Sequence, residues 1–127
     1  MPKPRPAPVF LDLARIRLPV TALLSIGHRV AGVVMVLVLP FLIYLLQLSL
    51  ADEAGYARAS AVFDHGGVKL LLVLVLWAFF HHLFAGLRFL VLDFAVGLER
   101  AAARRSAWLV NIAAVLGALL VWIGVIR

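Results

Sequence analysis

The chain has 127 residues, of which 65% are hydrophobic and only 14% charged, with 12 Lys or Arg against 6 Asp or Glu and a net charge of +6. A soluble domain carries about a quarter charged residues, so this composition excludes a soluble globular enzyme. With a mean hydropathy of +1.11 and a length that allows one domain at most, it points to a small membrane protein.

Cysteine is absent, which excludes disulfides, thiolate-held clusters, zinc–thiolate sites and palmitoylation on this chain. Any redox metal would have to use histidine. The basic residues are scattered between apolar blocks, which argues against a nucleic-acid binder.

The N-terminus reads MPKPRPAPVF, with Pro2, Pro4, Pro6 and Pro8 in alternation. Alternate prolines remove amide donors and favour extended chain. Residues 1–19 are expected to form a basic surface arm, and no apolar stretch precedes residue 20, so it is not a secretory signal. Proline is favoured in a first helical turn, which starts the first helix between Pro19 and Ser25. Val30–Leu50 then runs 21 residues without a charge, and Leu70–Leu87 runs 18 before Arg88. Ser106–Ile126 is a third run, of 21 residues. A helix needs about 20 residues to cross hydrocarbon, and lipid obliges the backbone to bond internally. The expectation is an all-α integral membrane protein with three transmembrane helices, at about 22–50, 68–96 and 104–126, in a single domain over 1–127. Between them lie a polar loop, 51–69, broken by Gly66-Gly67, and a basic loop, 97–105.

Orientation follows the Lys and Arg near the spans. Seven (Lys3, Arg5, Arg15, Arg17, Arg100, Arg104, Arg105) fall on one side against three (Arg58, Lys69, Arg127) on the other. The N-terminus is therefore expected in the cytoplasm and the C-terminus outside.

An ionisable group inside a span costs about 3 kcal/mol on insertion scales and needs a partner or a function. Ser25 and Arg29 are four residues apart, on one helical face continued by Gly32. A hydroxyl and a guanidinium there suit an oxygen-rich head group; equally, Arg29 snorkels to phosphates while Ser25 caps the helix. His81 and His82 lie deep in the second span and point about 100° apart, so they do not chelate one metal together. Three readings stand: satisfied structural histidines, a proton relay, or one axial haem ligand. For haem, His82 is preferred, because Gly86 one turn on leaves room for the porphyrin, with Arg88 near the interface for its propionates. The relay, through His81, His82 and Asp93, is weakened by an outer half, Leu70–Phe80, that is wholly apolar. Asp93 is expected to pair with Arg88 or the loop arginines. Span three, with Asn111 as its one strongly polar group, reads as scaffold.

The segment LDLARIRLPVTALLSIGHRVAG resembles the start of the cytochrome b subunit of succinate dehydrogenase, the membrane anchor of respiratory complex II. The matching core is Ser25-x-x-His28-Arg29-x-x-Gly32. The second span carries the family's other pattern, His82-x-x-x-Gly86-x-Arg88 followed by Asp93. Two positions depart: Phe89 stands where members often have His, and Gly27 where a larger apolar residue is usual.

The resemblance implies that His82 is an axial ligand of haem b, the other ligand coming from a second membrane anchor subunit. It implies that Ser25 and Arg29 line a ubiquinone site, with His28 and Arg88 near the haem propionates or that same site. It implies FAD and iron–sulfur clusters only in partner flavoprotein and iron–sulfur subunits, and a bacterial inner-membrane location. Expected function is a haem-binding anchor of an enzyme whose catalytic head is elsewhere. The alternatives are a fumarate reductase anchor using menaquinone and a haem-free structural anchor.

Overall fold

The computed structural model describes residues 16–126, with side chains through Gly124, so most of the predicted arm lies outside the described residues. Helix α1 spans Val20–Ala51, α2 Glu53–Asp64, α3 Gly66–Asp93 and α4 Arg100–Val121, ending in a π-helical turn over Trp122–Ile126. Three helices, α1, α3 and α4 with its continuation, are long and apolar enough to cross a membrane. The protein is an all-α multi-pass membrane protein.

Helix α1 starts where the proline predicts: Pro19, extended, is its N-cap, and its carbonyl accepts from Ala22 and Leu23. At 32 residues and about 1.5 Å per residue, it is longer than hydrocarbon requires. It runs through Pro40, whose ring removes one amide donor from the ladder.

The expected polar loop 51–69 is mostly helix. Asp52 caps α2 with its carboxylate on the Gly55 amide, a side-chain cap of the kind worth about 1 kcal/mol. The sequence EAGYARASAVFD is alanine-rich and has no internal proline, so once capped it propagates. The chain breaks at His65, which is extended. Gly66 and Gly67 begin α3 rather than end the loop.

Helix α3 stops at Asp93, three residues earlier than expected. Ala95 (φ 59°) and Gly97 (φ 77°) then turn the chain through left-handed backbone. That conformation is open to glycine and costs alanine about 1 kcal/mol or more. Helix α4 begins at Arg100, so most of the predicted basic loop is its first turn.

Helix α3 is central, packing on both α1 and α4, while α2 packs chiefly on α1 and less on α3. Among the described residues, seven of the ten buried apolar ones are alanines, including Ala31, Ala78, Ala85, Ala107, Ala114 and Ala118. The bundle therefore closes through small side chains that let backbones approach, the mode expected where lipid supplies no hydrophobic drive between helices. Bulky residues such as Leu37 (72% exposed) and Leu120 (71%) face outward, the reverse of a water-soluble bundle.

Gly117 on α4 is one such close contact. A Cβ there would come within 2.9 Å of the Phe80 ring on α3. Gly117→Val is therefore expected to destabilise the bundle by about 1–3 kcal/mol through overpacking. Thermal unfolding in detergent should show a lowered midpoint, partly restored by adding Phe80→Leu.

Candidate functional site

Helix α1 crosses α3 where two of its glycines meet two histidines. A Cβ on Gly27 would lie 2.9 Å from His81 Cε1, and one on Gly32 would lie 3.1 Å from His82 Cε1. Each imidazole thus occupies the space a side chain on α1 would need. Gly27, which departs from the family pattern, is a point of close contact. The glycine against His82 is Gly32, across the helix pair, while Gly86 sits under His28, whose Nε2 would be 3.7 Å from an added Cβ.

At this approach His82 Nδ1 lies 3.1 Å from the His28 carbonyl oxygen. A carbonyl only accepts, so Nδ1 carries the proton and donates. The lone pair of the neutral ring is then on Nε2. This is the arrangement in which histidines bind metals: one nitrogen fixed by a backbone carbonyl, the other available. The His28 ring stacks on His82 with centroids 4.1 Å apart and 12° between planes, and Phe89 meets His28 edge-on at 5.3 Å.

Beside this pair lies a groove of about 450 Å³. His28, Arg29, Gly32 and Val36 of α1 line it with His82 of α3. Arg29 is exposed and Ser25, one turn earlier, is half-buried. Ser25 does not itself line the groove. An apolar-walled groove with a histidine of fixed tautomer, a bare glycine and a guanidinium at its edge fits a flat, iron-bearing macrocycle with acidic substituents.

His81 takes the opposite tautomer. It is 1% exposed, and its Nε2 lies 3.2 Å from Asn111 Oδ1 on α4. The Asn111 amide donates Nδ2–H to the Ala107 carbonyl at 2.9 Å, so its oxygen is the end turned to His81 and Nε2 is the donor. Nδ1 is buried with no partner among the described residues. A second proton there would have no acceptor, so the geometry does not suit a relay. Span three is accordingly more than scaffold: its lone asparagine holds the second histidine. The signals for this contact, a single strong polar residue in one span and a spare histidine in another, were both in the sequence without anything to join them.

Arg88 departs from expectation. It is buried and turns to α4, donating Nε–H to Ser106 Oγ at 2.9 Å and Nη2–H to the Ala103 carbonyl at 3.1 Å. It does not line the His82 groove, so a place near the same group's acidic substituents is not supported for it. Asp93 is exposed, and the Arg88 bonds go to uncharged oxygens instead of its carboxylate. Ser106 was not singled out by its sequence context; a serine 18 positions from Arg88 becomes a partner only through the α3–α4 turn.

Comparison with known proteins agrees with the motifs. The family model described as succinate dehydrogenase/fumarate reductase transmembrane subunit matches residues 1–121. The chain is 37% identical over 119 residues to a succinate dehydrogenase cytochrome b556 subunit of Coxiella burnetii, covering 91% of this chain and 95% of that one. It is 33% identical over 121 residues to a cytochrome b560 subunit of succinate dehydrogenase from Reclinomonas americana, covering 91% and 84%. A cytochrome b556 subunit from Paracoccus denitrificans is 31% identical over 100 residues, covering 79% and 77%.

Proposed function

The chain belongs to the succinate dehydrogenase/fumarate reductase transmembrane subunit family, and on that premise we propose that it is the haem b-binding anchor of a succinate:quinone oxidoreductase. In this reading it holds a flavoprotein and an iron–sulfur subunit to the membrane beside a second anchor subunit. The observation that carries the haem reading is the Nδ1–H bond from His82 to the His28 carbonyl, beside a groove lined by His28, Arg29 and Gly32. His82 would hold the haem iron through its Nε2, with the second ligand from the partner anchor. Arg29 and His28 would face the acidic edge of the group. When bound, haem supplies a one-electron store near the quinone.

Quinone reduction takes two electrons, delivered from the iron–sulfur partner, and two protons. The residues of this chain assigned to it are Ser25 and Arg29, one helical turn apart on α1. The Ser25 hydroxyl donates a hydrogen bond to a quinone carbonyl and orients the ring. The Arg29 guanidinium offers a fixed positive charge where negative charge develops on the oxygen. With this end of the bundle on the cytoplasmic side by the charge count, protons reach it from water there.

The charge count favours the arm and the α3–α4 turn in the cytoplasm and α2 on the far side. Because the chain has no cysteine, single cysteines report orientation directly. Ala54→Cys on α2 should react with an impermeant maleimide on intact spheroplasts, and Ala101→Cys at the start of α4 only after lysis. The reverse pattern would overturn the assignment.

In the purified complex, the dithionite-reduced minus oxidised spectrum should show a b-type band that His82→Ala abolishes or shifts. A band indifferent to that change would move the ligand to another residue. Ser25→Ala should lower quinone reductase activity about fivefold, the equivalent of one hydrogen bond of about 1 kcal/mol. Arg29→Leu should lower it about a hundredfold. Succinate oxidation by a soluble dye should be unchanged in both; equal loss of the two activities would indicate failed assembly and not a quinone role.

A further inference from the structure

His81 has no part in the proposed chemistry, yet it is among the most completely buried large side chains in the protein, at 1% exposure. It touches every spanning helix. On its own α3, Trp77 packs against it with ring centroids 5.1 Å apart. On α1, bare Gly27 lies where any Cβ would strike its ring. On α4, Asn111 Oδ1 accepts from its Nε2, and Asn111 is itself held by the Ala107 carbonyl.

His82 is the next residue on the same helix. Its orientation depends on reaching the His28 carbonyl, one residue from Gly27 on α1. Two consecutive residues on a rigid helix turn together. Whatever fixes the rotation of α3 at His81 also fixes the direction of His82 and its distance to the α1 backbone.

We propose that Asn111, acting through His81, is a positioning residue for the haem ligand His82. The amide on α4 pins His81, His81 against Gly27 sets the α1–α3 spacing, and that spacing keeps the His82 Nδ1–H bond to the His28 carbonyl. Neither Asn111 nor His81 contacts the ligand nitrogen. A direct hydrogen-bond partner of a ligating imidazole is typically worth about tenfold or more in metal-group affinity, and for His82 that partner is the His28 carbonyl, whose distance Asn111 would set through His81.

The inference rests on the haem reading, and the experiment separates the two. In the purified complex, three readouts are taken for the native chain, Asn111→Leu, Asn111→Gln and Gly27→Ala. They are the haem difference spectrum, the midpoint potential, and the rate of haem transfer to excess apomyoglobin. Asn111→Leu removes the acceptor and should release haem about tenfold faster, with a shifted or broadened band and an altered potential. Asn111→Gln keeps an amide acceptor on a longer stem and should restore native behaviour in large part. Gly27→Ala presses on His81 from the opposite helix and should move the same readouts, which keeps the test open if Asn111→Leu does not assemble. Native spectra, potential and release rate in both Asn111→Leu and Gly27→Ala would overturn the positioning role. Loss of stability in Asn111→Leu with an unchanged spectrum and potential would also overturn it, leaving a purely structural polar pair. A native complex without any b-type band would overturn the haem reading itself.

Discussion

The close approach of α1 to α3 at Gly27 and Gly32 is the constraint from which the rest of the site follows. Hydrocarbon gives helices no reason to exclude solvent from between them, so contact must come from shape and from polar groups that need each other. The two glycines supply the shape. They leave hollows of the size of an imidazole, and both histidines of α3 enter them. Without that proximity, His82 would not reach a carbonyl on the neighbouring helix, and a backbone oxygen already serving the α1 ladder would have no second donor.

The adjacent histidines show how identical side chains acquire different chemistry from their acceptors alone. A carbonyl on α1 fixes one proton on Nδ1, and an amide on α4 fixes the other on Nε2. The first ring is left able to bind a metal at its outer nitrogen. The second is left facing inward with its remaining lone pair enclosed. Residue type and position in the span were equal for the two; the direction each points around the helix decides the rest.

The all-α class and the number of spans were legible from apolar run lengths, because lipid obliges the backbone to bond within each helix, and His82, Ser25 and Arg29 were singled out as candidates by motif spacing. Local signals fared less well where tertiary contacts compete. The segment 51–69 looked like loop because it is polar, yet Asp52 caps it and alanines carry it as helix. Asp93 looked like the natural counter-ion for Arg88, but they are five residues apart on α3, whereas Ser106 and the Ala103 carbonyl stand across the interface. A helical guanidinium chooses partners by the neighbour it is packed against, and no single-sequence pattern encodes that neighbour. Gly86 shows the same limit: spacing along one helix says which residues share a face, but not that the foreign side chain arriving there is His28.

The turn between α3 and α4 is short, and two of its residues, Ala95 and Gly97, hold left-handed backbone. It acts as a ruler. Its length fixes how far α4 is displaced along α3, and so brings Ser106 level with Arg88 and Asn111 level with His81. These two contacts are read off the same ruler at different heights. One residue inserted within α4 between Arg100 and Ser106 would advance everything after it by about 1.5 Å and turn it by about 100°, unlatching both contacts together with every side chain still in the sequence. Length is therefore costly to vary where α4 starts, in a stretch of chain that carries no chemistry of its own.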